Sequence, residues 1–150
     1  MPSWLLKTAL QHAIHWLPRS HQVNEWFQNR RPGSLDLPRE KFLQKITEGR
    51  KYLTAYVEGT GGGTFENITA FELGTGWFPI IPAAHFLAGV EKTWAFDIAP
   101  LPNTQRVQRM AELFLATAES GELQAVLPEL KSERLPALRE LLRRLPVEPV

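Results

Sequence analysis

Residues 68–97, ITAFELGTGWFPIIPAAHFLAGVEKTWAFD, constrain this chain more than any other stretch. A short apolar run, 68–73, meets the glycines Gly74 and Gly76. About a dozen mostly apolar residues follow, and a second short run, 93–96, ends on Asp97. The parsimonious reading is strand, tight turn, helix, strand: one βαβ unit with strands near 68–73 and 93–97.

The physics of such a unit points to a ligand. Without a Cβ at Gly74 and Gly76, the chain can turn sharply and a ligand can approach its backbone. The next helix offers unpaired N–H groups at its N-terminus to an anionic group. Pro79 suits a first helical turn, where a missing N–H costs little. Pro82 is tolerable only in that same turn, so the helix is expected to start at 78–80. Asp97, ending the second strand, can accept two hydroxyl hydrogen bonds from a ribose, and open parallel sheets bind ligands at that end.

Glu72-Leu-Gly74-Thr75-Gly76, followed at strand spacing by Asp97, resembles the S-adenosylmethionine site of class I (Rossmann-like) methyltransferases. The longer string ELGTGWFPIIPAAHFLAGVEKTWAFDI is similar to one subgroup of them. The resemblance implies an α/β fold, S-adenosyl-L-methionine as cofactor and methyl transfer as the activity. It implies that the turn from Glu72 through Thr75 to Gly76 lies against the methionine part of the cofactor, and that Asp97 takes the ribose hydroxyls. The family often has a third glycine two residues after Gly76. This chain has Phe78 there, which either covers the site or packs beneath it.

Other readings compete. A glycine turn is shared with nicotinamide and flavin sites, but the dinucleotide fingerprint G-x-G-x-x-G requires a glycine where Pro79 stands. An NAD(P)-linked oxidoreductase fragment is therefore the alternative enzyme. Glu72 capping the turn and Asp97 capping the next segment is the purely structural alternative. A non-catalytic helical module that binds a partner chain is a third reading, its open strand edge completed by that partner.

The remaining chain reads as helices. Ser3 caps an amphipathic helix over 4–17, ended by Pro18. Its His12 and His15 have no carboxylate or cysteine nearby to complete a metal site, and its lone Lys7 argues against membrane-surface binding. Ser20 caps a second, shorter helix bearing Val23, Trp26 and Phe27. A third starts near Pro38 with Asp36 as candidate cap, and Phe42, Ile46, Leu53 and Val57 mark its buried stripe. Its basic residues are diluted by Glu40, Glu48 and Glu58, so they read as a solvated face rather than a nucleic-acid patch. Residues 59–67, which include Gly-Thr-Gly-Gly-Gly-Thr, lack the Lys-Ser/Thr pair of a phosphate loop and read as a linker. After Asp97, Asn103 caps a long helix ending near Gly121, and 123–130 and 135–145 read as two more.

Composition closes off several classes. With 43% hydrophobic residues the chain can build a core, and its net charge of +1 gives no global case for nucleic acid or anionic membrane. No cysteine is present, which excludes disulfides and thiolate metal sites and is compatible with the expected cytoplasmic location. No run has the length of a membrane span, and the first residues do not read as a signal peptide.

No third strand is legible. A doubly wound sheet needs both faces covered and both edges managed, which two parallel strands cannot achieve. The expectation is the amino-terminal portion of a larger methyltransferase: a helical lead-in (1–58), a glycine-rich linker (59–67), the cofactor-binding unit (68–99) and a helical insertion (100–150). A missing half or a partner chain would complete the sheet. Weak or absent cofactor binding by the chain alone is expected, with no identifiable base and an unspecified methyl acceptor. His85, in the helix after the turn, is expected to face away from the cofactor.

Overall fold

A computed structural model of the chain describes residues 37–146. The helix expected over 4–17, the helix capped by Ser20, and Asp36 lie outside those residues. The element order is α1 (Arg39–Thr60), β1 (Thr69–Leu73), α2 (Ile80–Ala88), β2 (Lys92–Phe96), α3 (Thr104–Glu119), α4 (Glu122–Val126), a 3-10 turn (Ser132–Arg134) and α5 (Leu135–Arg144). The described body is helix-rich with one sheet, in which β1 and β2 pair in parallel, Phe71 opposite Trp94 and Leu73 opposite Phe96.

Local chemistry explains most boundaries. Pro79 stands at the N-cap of α2 and Pro82 within its first turn, so neither ring breaks a helical hydrogen bond. Asn103 caps α3 by accepting from Arg106 N at 2.9 Å. The helix expected over 123–130 stops at Val126. Pro128 is the reason: it drives the preceding Leu127 out of the helical region, to φ −131°, ψ 75°. At the other side of the sheet, α1 runs through Gly59 to Thr60, so the expected linker loses its first two residues to that helix.

Packing unites what the sequence divided. Phe42 and Ile46 of α1, Leu87 of α2, Phe114 of α3, and Leu123, Leu127 and Leu138 beyond it share one buried cluster. The segment after β2 is therefore part of the same core as the βαβ unit. Gly49 lets α1 and α2 close on each other: a Cβ there would stand 3.2 Å from Ile81 Cγ2. Arg134 ties the 3-10 turn to the end of α2, donating to Phe86 O at 2.8 Å and Val90 O at 2.7 Å. Phe65, from the expected linker, also packs on the core.

Among the described residues, the sheet is covered on one side. Along β1, Ala70 and Glu72 are half-buried while Thr69, Phe71 and Leu73 are exposed. That alternation is the period-two signature of one covered face. Among the described residues, no helix is long and apolar enough to cross a membrane.

Candidate functional site

The turn after β1 is built from backbone. Gly74 N donates to Phe96 O at 2.8 Å, which closes the turn onto the end of β2. Gly74 and Gly76 both lie in the left-handed region, at φ 82° and 72°. Side chains adopt that region at a cost of about 1–2 kcal/mol. No heavy atom lies within 4 Å of where a Cβ would stand at either position. Conformation demands the glycines, and the space they leave is open to a ligand.

Asp97 is the polar partner of that turn. Its Oδ2 accepts from Gly76 N at 2.7 Å and its Oδ1 from Ala99 N at 3.4 Å. The Gly76 N–H is the chief cause that holds this exposed carboxyl below the usual aspartate range, so it is ionised at neutral pH.

Glu72 behaves in the opposite way. Partial burial, the largest cause, pushes its carboxyl up, and the Asp97 charge adds to that; the Thr75 hydroxyl and the Lys45 ammonium pull it down. Neither Glu72 Oε2 nor Thr75 Oγ1 meets a partner with hydrogen-bond geometry, so the hydroxyl acts by proximity rather than through a formed bond. A carboxyl whose folded pKa is raised contributes its full stability below the unfolded value of 4.5 and loses it as pH rises through the folded value. Glu72→Gln, which mimics the protonated form, should therefore raise Tm at pH 7. The gain should shrink as pH falls and vanish below 4.5. Thermal melts of both proteins from pH 4 to 8 check this, and a gain independent of pH would refute it.

Five of the six residues expected to bind a cofactor, Glu72, Gly74, Thr75, Gly76 and Phe78, line one hollow of about 750 Å³. Phe78 both borders this hollow and packs against the core. Asp97 opens instead on a neighbouring hollow of about 390 Å³, beside Pro79, Ile98 and Pro102. Thr75 borders both, and the Gly76–Asp97 hydrogen bond joins them.

His85, expected to face away from a cofactor, lines the larger hollow, although only 6% of it is exposed. Its Nε2 lies 3.1 Å from Gly49 O. A carbonyl only accepts, so Nε2 carries the proton and Nδ1 is a bare, buried nitrogen with no partner. Burial pulls its pKa down and keeps the ring neutral.

Sequence reasoning singled out none of the further lining residues, among them Lys45, Tyr52 and Trp77 and, from β1 itself, Phe71 and Leu73. Lys45 and Tyr52 reach the hollow from α1. Their distance from the turn in sequence left no local signal. Trp77 follows Gly76 directly, and Arg106 of α3 stacks on its ring at 4.0 Å. Arg106, itself 5% exposed, also donates to Leu101 O. The first helix after β2 thus backs the glycine turn. No protein-family model, curated protein or solved structure matches this chain.

Proposed function

We propose that residues 68–97 bind S-adenosylmethionine, and that the chain is the cofactor-binding part of a methyltransferase with a Rossmann-like sheet. One observation carries the reading. Two left-handed glycines face open space, and an ionised aspartate from the neighbouring strand end sits 2.7 Å from the second glycine's N–H.

The residues divide the work by chemistry. The Gly74–Gly76 backbone accepts close approach of the methionine part. Asp97 keeps lone pairs beyond those used by Gly76 and Ala99, which suits the two hydroxyls of a ribose. Tyr52, Trp77 and Phe78 present aromatic rings around the larger hollow, a setting that favours a cation. When bound, the cofactor supplies an electrophilic methyl group on its sulfonium. The protein's contribution is position: a cradle that fixes the methyl against an acceptor.

Thermal protection tests the reading. A ligand at ten times its dissociation constant stabilises by about 1.4 kcal/mol. For a domain of this size that is a rise of roughly 3–6 °C in Tm. Millimolar S-adenosylmethionine and S-adenosylhomocysteine should each give such a rise and NAD should give none. Protection by NAD alone would transfer the site to a nicotinamide cofactor, and protection by none of the three would remove the ligand from the turn.

A further inference from the structure

Among the described residues, three that line the larger hollow carry a buried polar atom without a partner: Glu72 Oε2, Thr75 Oγ1 and His85 Nδ1. Native proteins leave few such groups, because an unpaired buried donor or acceptor keeps its full desolvation cost. Three around one hollow of about 750 Å³ point to a ligand that pairs with them. The atoms narrow its chemistry. His85 Nδ1 can only accept, because Nε2 uses the ring's proton on Gly49 O at 3.1 Å. Glu72 brings a carboxyl to the same hollow. The ligand must therefore donate, both to a carboxyl and to a neutral nitrogen.

Charge narrows it further. Lys45, the cation among the lining residues, is already paired, its Nζ 2.9 Å from Glu48 Oε2. The charges of Lys45 and Asp97 act on Glu72 in opposite senses, so its carboxyl has no counter-ion of its own. Burial disfavours the charged form of that carboxyl, and a cation bound beside it would restore it. Tyr52, Phe71 and Phe78 add aromatic rings to the same lining, which suit a cation with an apolar body. We propose that this hollow binds an organic amine, its ammonium group donating to Glu72 and to His85 Nδ1 and its apolar body lying among the rings. The proposal is one of binding and does not rest on the S-adenosylmethionine reading. An ammonium group can come from a free amine or from the amino-acid end of a nucleoside ligand, and the test separates the two.

Benzylamine is the probe, and benzyl alcohol, of the same shape but uncharged, is its control. Titrated at pH 7 into the full chain labelled with nitrogen-15, benzylamine should shift the amide signals of residues 72–78. A dissociation constant on the order of 1 mM is expected for a ligand of about eight non-hydrogen atoms. Benzyl alcohol should bind roughly tenfold more weakly or not at all. Glu72→Gln should weaken the amine roughly tenfold or more. His85→Gln, whose amide can still donate to Gly49 O, should weaken it roughly threefold to tenfold. If His85→Gln fails to fold, Glu72→Gln carries the test, since it is expected to be the more stable protein at that pH. No shift with benzylamine, equal binding of alcohol and amine, or unchanged amine affinity in either folded variant overturns the proposal. With S-adenosylhomocysteine at saturation, benzylamine shifts that persist assign the site to a separate amine. Their loss, with 5′-methylthioadenosine leaving them in place, assigns the ammonium to the nucleoside's amino-acid end. A chain that takes benzylamine but neither nucleoside upholds the amine site and removes the cofactor reading.

Discussion

Phe114→Ala should lower Tm by roughly 6–20 °C. Phe114 is fully buried on α3, and its ring meets the equally buried Phe42 of α1 edge-on at 4.7 Å. Removing a buried phenylalanine costs about 3–5 kcal/mol, from lost transfer energy and from the cavity left behind. Small domains are stable by only about 5–15 kcal/mol, so this one side chain is a large fraction of the total. The effect should reach the candidate site as well, because α3 also carries Arg106, which backs Trp77. Urea and thermal unfolding followed by circular dichroism measure it. A loss below about 1 kcal/mol would mean that α3 to α5 fold apart from the βαβ unit, as a true insertion would, and that the shared core contributes little.

That contrast marks where local signals stop. The two strands fall within a residue of their expected positions because each is a short apolar run bounded by turn chemistry: Gly74 after the first, Asp97 after the second. The start of α2 was legible from Pro79 and Pro82, and the start of α3 from Asn103, since each acts on its own neighbours. Pro128 carried the same kind of information. The apolar spacing of Leu123, Leu127 and Leu130 masked it, and all three reach the core although the helix ends at Val126. Long-range packing was not legible. Nothing in the sequence around Lys45, Tyr52 or His85 states that α1 and α2 close over β1 through Gly49 to form a hollow. Glu72 and the glycines were found because they sit on one turn. Asp97 was found because a strand end delivers it there, but its engagement with Gly76 N required coordinates.

Asp97→Ala should weaken S-adenosylmethionine binding by roughly 10- to 100-fold while changing Tm little. Loss of hydrogen bonds to a charged acceptor lowers affinity by roughly one to two orders of magnitude. The carboxylate is exposed, so no buried partner is orphaned when it is lost, and Gly74 N still closes the turn onto Phe96 O. Asp97→Asn separates two roles. Its amide oxygen can still accept from Gly76 N, which preserves the turn, but the charge and one acceptor are gone, so affinity should fall nearly as far as in Asp97→Ala. The folded pKa of Asp97 is depressed, so its stabilising contact is fully present above the unfolded value of 3.8 and is lost only as pH falls through the lower folded value. Binding by the wild type should accordingly be flat between pH 6 and 8 as far as Asp97 is concerned. Calorimetric titration of the three proteins, with melts in parallel, discriminates the outcomes. Unchanged affinity with a lowered Tm in Asp97→Ala, restored by Asp97→Asn, would make Asp97 a clasp on the glycine turn and not a reader of ribose.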